Sequence, residues 1–153
     1  MSEFANSLGW KISVVANPLK LDKSIFKTAK VIANHTGQTL SLKTDANTAV
    51  ILMSHDYGTD LKNLKYFFPS EVGYIGLLGP RTRGDKLLRD LEKENVELKK
   101  EHLARLFTPT GLDIGANTPE EITLSILAEI RAFFSDRKGG YLIEREGPIH
   151  ERI

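Results

Sequence analysis

The chain has 153 residues, a length that fits one domain with its own core. With 41% hydrophobic and 27% charged residues its composition is that of a globular protein, which argues against disorder. The 21 basic and 20 acidic side chains nearly cancel, so no overall field attracts nucleic acid or anionic lipid. Cysteine is absent, which excludes disulfides and thiolate metal sites. Neither a membrane-spanning apolar run nor a signal-peptide pattern is seen, and we expect a cytoplasmic protein.

Short apolar runs typical of strands alternate with helical patterns along the chain. The strand candidates are residues 11–16, 30–33, 49–53 and 72–78. The helix candidates are residues 61–68, 85–94 and 119–134, and residues 2–8 resemble the end of a further helix. The run 49–53 (AVILM) is continuously apolar, as in a parallel strand covered on both faces. The alternation predicts an α/β domain with a parallel sheet.

The helix predicted over residues 119–134 has the clearest start. Thr118 is a good N-cap, Pro119 suits the first helical position, and Glu121 completes a capping box. Gly139 and Gly140 then interrupt the chain. We therefore predict a domain over residues 1–138, followed by an extended arm over residues 139–153.

Three segments together resemble the C-terminal domain of the XdhC/CoxI family. They are ILMSHDYGTDL at 51–61, YIGLLGPRTR at 74–83 and FTPTGLDIGANTPEEITLSILAEI at 107–130, and the tail GGYLIEREGPIHER is in keeping with them. Ser54 stands where the family usually has threonine. The resemblance covers roughly residues 6 to 152, and the long motif GLDIGANTPEEI makes a chance match improbable.

The resemblance implies a Rossmann-like, three-layer fold and a role in the maturation of molybdenum hydroxylases such as xanthine dehydrogenase. Members of the family are thought to bind the molybdenum cofactor, to protect it while its terminal sulfur is installed, and to transfer it to the target enzyme. It therefore implies an accessory or chaperone domain that binds the cofactor or docks on a molybdenum hydroxylase subunit and is not itself an enzyme.

The chain departs from the family pattern in two ways. These 153 residues contain neither the N-terminal domain of the family nor the strand and glycine-rich turn expected before Ser2, whether Met1 is a native start or a truncation. Ala16 ends the first strand, where the family commonly has an aspartate and where a dinucleotide-binding fold would hold the ribose hydroxyls. Both departures argue against the alternative interpretation, a fragment of an NAD(P)- or nucleotide-binding oxidoreductase.

The missing strand also bears on assembly. In a Rossmann sheet it would lie between the strands at 11–16 and 49–53. Its absence would leave two unpaired strand edges, which proteins avoid. We therefore predict a homo-oligomer in which some segment, such as the C-terminal arm, completes the sheet.

A first candidate binding site is the segment that contains Gly76, Gly79, Arg81 and Arg83. A glycine turn between a strand and a helix leaves backbone N–H groups free at the positive end of the helix dipole. The two arginines add planar donors suited to phosphate. The segment predicts an anion site for a phosphorylated cofactor; the alternative is a helix start with solvated arginines.

Two further segments follow candidate strands or precede the capped helix. His55 and Asp56 come just after the strand at 49–53, and Asp113 and Gly115 lie before Thr118. Ligands of open α/β sheets bind outside the carboxyl ends of the strands, so we predict that these residues contact a cofactor. The alternatives are an N-cap for Asp56 and a turn aspartate for Asp113.

The remaining polar residues show no catalytic pattern. The chain's four histidines have no metal-ligand spacing, and no serine lies in a nucleophile elbow. We therefore expect the binding of a molybdenum cofactor that the resemblance implies to occur without turnover.

Overall fold

A computed structural model describes residues 1–17, 19, 22, 24, 26–33 and 42–149. Its strands are β1 (Ser13–Ala16), β2 (Lys30–Ala33), β3 (Ala49–Leu52), β4 (Tyr74–Leu77) and β5 (Leu106–Phe107). Its α-helices are α1 (Ser2–Ser7), α2 (Tyr57–Phe67), α3 (Arg81–Lys93), α4 (Lys100–Leu103) and α5 (Pro119–Phe134), and a 3-10 helix spans Leu142–Glu144. The alternation of strands and helices confirms the predicted α/β class.

The strands of the described residues form two parallel sheets. In one, β1 pairs with β2. In the other, β4 lies between β3 and β5, with Leu52 opposite Leu77 and Gly76 opposite Phe107. Because all three strands of the second sheet run in one direction, their carboxyl ends meet at the same edge.

The second sheet is covered on both faces, which gives the predicted three layers. Along β4, Ile75 and Leu77 face one core and Tyr74 faces the other, as the twofold alternation of a strand requires. The first core is completed from α2 and α3 by Leu64, Phe67, Leu87 and Leu91. The second is completed from α1 and α5 by Ala5, Ile126, Leu127 and Ile130.

The ends of the predicted helices agree with the structure to different degrees. Helix α5 has the predicted bounds, and Thr118 and Glu121 form the predicted capping box. Helix α2 begins at Tyr57 and α3 at Arg81, one turn earlier than predicted. The first turn of α3 is polar, and in the first turn of α2 only Tyr57 packs against the core, so the regular apolar stripe of each helix begins later. The short elements α4 and β5 are not predicted from the sequence.

The strands β1 and β3 belong to separate sheets. These are the two strands that were expected to flank a missing one, and a cleft lies between them in the structure. In the part of the chain that the structure describes, no helix is long and apolar enough to cross a membrane.

Candidate functional site

The three predicted binding segments follow neighbouring strands of the β3–β4–β5 sheet. Residues 54–56 follow β3, residues 79–83 follow β4, and the loop 108–118 follows β5. Backbone hydrogen bonds hold their starts side by side, from Leu78 N to Leu52 O (3.0 Å) and from Thr110 N to Leu77 O (3.2 Å). The structure thus brings all three segments to the carboxyl edge of one sheet, where α/β domains bind ligands.

The turn after β3 is held by side-chain hydrogen bonds and exposes His55. The hydroxyl of Ser54 lies 2.6 Å from the Asp60 carboxylate. The carboxylate of Asp56 accepts a hydrogen bond of 2.7 Å from Thr59 N, so Asp56 is the N-cap of α2, the alternative considered for it. Between them His55 is exposed and has a φ of +57°, a left-handed conformation that costs a histidine backbone energy. Such strain is often found at binding sites.

Beneath this turn an ion pair joins α2 to α3. The guanidinium of Arg83 lies 2.7 Å from the carboxylate of Asp60, whose side chain is 2% exposed. The same guanidinium lies over the ring of Tyr57, 5.6 Å from its centroid. Arg83 therefore has a structural partner that is not predicted from the sequence, and its contact with an anion stays a prediction. No local pattern identifies the pair, because its members are 23 residues apart.

The start of α3 differs from those of the other two long helices. Side chains cap α2 (Asp56) and α5 (Thr118). At α3 the N-cap residue is Pro80, no side chain of the described residues caps the first backbone N–H groups, and the first turn contains no acidic residue. Gly79 precedes it with a φ of +129°, a conformation that glycine adopts without strain. With Arg81 exposed in the first turn, the donors here suit an anion.

Gly76 has a different environment from Gly79. It lies within β4 and is buried, and a Cβ atom at this position would be 2.6 Å from Thr110 Oγ1 and 2.8 Å from Ile51 Cδ1. The lack of a side chain at Gly76 thus allows close packing inside the domain. A contact between Gly76 and a cofactor stays a prediction.

The loop after β5 is attached to α5 at its beginning. Gly111 N donates a hydrogen bond of 2.8 Å to Glu129 Oε1, and the hydroxyl of Ser125 donates one of 2.6 Å to Leu112 O. Leu112 N in turn donates to Ser125 O at 3.2 Å. These bonds fix the path of the chain into the segment that contains Asp113.

Asp113 and Gly115 are both exposed in that loop. Gly115 has a φ of +71°, and its carbonyl accepts a hydrogen bond of 2.9 Å from the Asn117 side chain. Within the described ranges the Asp113 carboxylate makes no hydrogen bond, which disfavours the turn-aspartate alternative. Asp113 is thus an exposed acceptor near the ligand edge.

A buried polar cluster supports this loop from below. The hydroxyl of Tyr74 donates to the Glu129 carboxylate and lies 2.6 Å from Thr110 Oγ1. Burial, together with the hydrogen bond to Glu129, raises the pKa of Tyr74 far above its ordinary value. Tyr74 therefore stays protonated and acts as a donor. The cluster is not predicted from the sequence, because its members come from β4, the β5–α5 loop and α5.

A three-layer domain with a ligand edge at the carboxyl ends of parallel strands is a Rossmann-like domain. The chain belongs to the XdhC Rossmann domain family, whose model matches residues 1–130. This confirms the resemblance seen in the sequence.

Individual proteins support the same assignment. The chain is 36% identical over 94 residues to the uncharacterized protein YqeB of Escherichia coli K12, which covers 61% of this chain and 17% of that protein. It is 35% identical over 82 residues to a probable xanthine dehydrogenase subunit of Bacillus subtilis 168, which covers 54% and 22%. The crystal structure of a xanthine dehydrogenase from Bacillus halodurans matches with a TM-score of 0.72 and 28% identity, over 90% of this chain and 41% of that one. The matches span about a fifth of the curated relatives.

Proposed function

We propose that this chain is an accessory domain in the maturation of a molybdenum hydroxylase of the xanthine dehydrogenase type, and that it binds the molybdenum cofactor without turnover. The names of the Bacillus subtilis and Bacillus halodurans relatives support the link to xanthine dehydrogenase. The observation that carries the proposal is the start of α3, which has no side-chain cap and lies between two other exposed turns at one sheet edge.

The phosphate group of the cofactor fits the start of α3. The first backbone N–H groups of a helix have no acceptor within the helix. At α3 no side chain of the described residues accepts from them as a cap. The dipole of a 13-residue helix adds a positive potential at the same point. In our proposal the N–H groups of Arg81 and Thr82 and the guanidinium of Arg81 hold the phosphate, and Gly79 lets it approach the backbone.

The flanking turns would contact the pterin part of the cofactor. His55 and Asp113 are exposed on the turns after β3 and β5, on either side of the start of α3 in the strand order. An imidazole and a carboxylate can pair with the donors and acceptors at the edge of a pterin ring. When bound, the cofactor supplies the molybdenum that the client hydroxylase uses; the residues of this chain bind and orient it.

The phosphate part of the proposal is tested by thermal unfolding in phosphate or sulfate. An anion that binds the folded state at 100 times its Kd stabilises it by about 2.7 kcal/mol. For a chain of this length each kcal/mol raises the Tm by roughly 2–4 °C. We expect saturating phosphate to raise the Tm of the wild type by several degrees, and Arg81→Ala to remove most of this increase without lowering the Tm in buffer alone.

The control for this experiment is Arg89→Ala. Arg89 is an exposed arginine of the same helix, two turns beyond its start, so the variant should keep the full response to phosphate. Equal responses in the two variants would exclude Arg81 as a ligand. Loss of the response in both would indicate a nonspecific effect of charge.

A further inference from the structure

An open cleft of about 1280 Å³ lies between β1 and β3. The two strands form its sides. Apolar side chains line it from α1 (Ala5), from α5 (Leu127 and Ile130) and from Trp10, together with charged residues such as Glu3 and Arg131. Since a cleft between two strand edges leaves backbone groups without partners among the described residues, its occupant must suit both the lining side chains and the strand edges.

Among the strands that the structure describes, β3 pairs with β4 alone, and its other edge borders the cleft. The carbonyl of Leu52 accepts from Leu78 N at 3.0 Å, so it points toward β4. In a parallel strand the backbone groups of successive residues point to opposite sides. Those of Ala49 and Ile51 therefore point away from β4, and both residues line the cleft.

The backbone of β1 presents a matching edge. The carbonyl of Ile12 accepts from Lys30 N at 2.9 Å, which directs it toward β2. By the same alternation the backbone groups of Ser13 and Val15 point the other way, and both residues line the cleft. A single strand inserted here would lie between both edges.

The position defines the chemistry of its occupant. Both neighbouring strands have four residues, so the inserted strand needs about four. The helices α1 and α5 cover one face of a strand inserted here, so apolar side chains suit that face and a charged residue there would be buried.

The C-terminal arm contains a short apolar run that is exposed. Tyr141, Leu142 and Ile143 are 79%, 63% and 93% exposed, and they lie between Gly140 and Glu144. Apolar side chains exposed side by side commonly mark a contact surface. The 3-10 helix they share with Glu144 has two backbone hydrogen bonds of 3.1 Å, which strand pairing would replace.

The C-terminal arm leaves its own domain on the face of α5 that is opposite the cleft. A Cβ atom at Gly139 would be 2.9 Å from the Leu112 side chain, and Leu112 is bonded to Ser125 of α5. Leu127 of α5 lines the cleft, and at 100° per residue it lies about 200° around the helix from Ser125. The arm and the cleft are thus on opposite faces of α5, so an arm from another copy meets the cleft more directly.

We propose that residues 140–143 of a second copy insert between β1 and β3 as a parallel strand, and that two copies exchange their arms. Each copy then has one continuous sheet in the order β2, β1, arm, β3, β4, β5. The exchange is reciprocal, so it closes as a twofold dimer. It also removes the two open strand edges on which the prediction of an oligomer rested.

The mass in solution gives the first test. Sedimentation equilibrium at micromolar concentration should give twice the 17.1 kDa of the chain. Leu142→Asp and Ile143→Asp should each shift the protein to the monomer, raising the dimer dissociation constant at least tenfold, because the charge would be buried in the cleft. The control Leu124→Asp changes a leucine of α5 that is 54% exposed and does not line the cleft, and it should leave the dimer intact.

Cross-linking between two variants gives the second test. Because the chain contains no cysteine, only the introduced thiols can react. A Ser13→Cys chain mixed with a Leu142→Cys chain should give a mixed dimer with a short bismaleimide. The control Leu8→Cys is 55% exposed and lies outside the cleft, so with the same partner it should give little product.

Three outcomes would overturn the proposal. A wild type that is monomeric at these concentrations would show that no second copy fills the cleft. A dimer that persists in both arm variants would place the contact on another face. Equal cross-linking of the Leu8 and Ser13 variants would show that the arm does not enter the cleft.

Discussion

The carboxylate of Asp60 and the guanidinium of Arg83 lie 2.7 Å apart, and this ion pair joins α2 to the first turn of α3. Ser54 approaches the same carboxylate with its hydroxyl (2.6 Å) and its backbone N–H (3.3 Å). One buried carboxylate therefore positions both the turn that exposes His55 and the helix start that exposes Arg81. The candidate site depends on this hidden contact as much as on the residues at its surface.

Replacing the carboxylate should destabilise the domain. We expect Asp60→Ala to lower the free energy of unfolding by about 3 kcal/mol, because breaking a buried ion pair leaves the remaining charge without a partner. The 24% exposure of Arg83 favours the lower end of the usual range. Urea unfolding measures the effect. The control Glu94→Ala breaks the exposed pair with Lys65 and should cost less than about 1 kcal/mol; equal losses would contradict a structural role for Asp60.

Two helical glycines should respond in opposite ways to alanine. A Cβ at Gly84 of α3 would be 2.0 Å from Thr108 Oγ1, so we expect Gly84→Ala to cost about 1–3 kcal/mol by overpacking. At Gly58 of α2 its nearest neighbour would be Asp56 Oδ1 at 3.7 Å, and Gly58→Ala should stabilise by up to about 1 kcal/mol. Thr108→Ala should partly restore the Gly84→Ala variant in urea unfolding. Stabilisation by both alanines would show that α3 does not pack against Thr108 as described.

The buried Tyr74 should make stability fall at alkaline pH. Its folded-state pKa is raised, by burial first and then by the hydrogen bond to Glu129. Above about pH 10 the unfolded chain loses the tyrosine proton and the folded chain keeps it, so this contribution is complete below pH 10 and declines by up to about 1.4 kcal/mol per pH unit above it. Urea unfolding of the wild type and of Tyr74→Phe between pH 9 and 11 measures it.

The free energy of unfolding of Tyr74→Phe should fall less steeply with pH than that of the wild type, but it should still fall. Desolvation and the hydrogen bond to Asp90 raise the pKa of Tyr57 to about 12, so Tyr57 contributes in the same direction. Tyr66→Phe, at an exposed position of α2 outside the arm, is the control and should behave like the wild type. Identical slopes for Tyr74→Phe and the wild type would contradict the role assigned to Tyr74.

Local signals were sufficient for much of the fold. The capping box at Thr118 and the apolar stripe behind it gave both ends of α5, and the apolar run AVILM gave β3 to within one residue. Where the first turn of a helix is mostly polar, as in α2 and α3, the apolar stripe begins late and the predicted start of the helix is one turn too late. The two-residue strand β5 has no pattern of its own, because pairing with β4 defines it.

The position of the candidate site could be predicted from the sequence, but the contacts that hold its residues in place could not. His55, Arg81 and Asp113 follow or adjoin strands, and parallel pairing brings them to one edge. Their supports come from sequence-distant contacts, such as Asp60 with Arg83 and Tyr74 with Glu129, which no spacing rule reveals. Gly76 was grouped with the turn glycines, although its packing against Thr110 becomes visible only in three dimensions.

The most direct test of the central claim is recovery of the cofactor with the protein. The tagged chain is purified from cells that make the molybdenum cofactor, and bound pterin is measured by the fluorescence of its oxidised form. We predict pterin, or a copurifying molybdenum hydroxylase, with the wild type and the Arg89→Ala control, and at least a tenfold loss of pterin with Arg81→Ala, His55→Ala and Asp113→Ala. Absence of both pterin and hydroxylase, together with tight binding of NAD(P), would contradict the accessory function and favour a nucleotide-binding oxidoreductase domain.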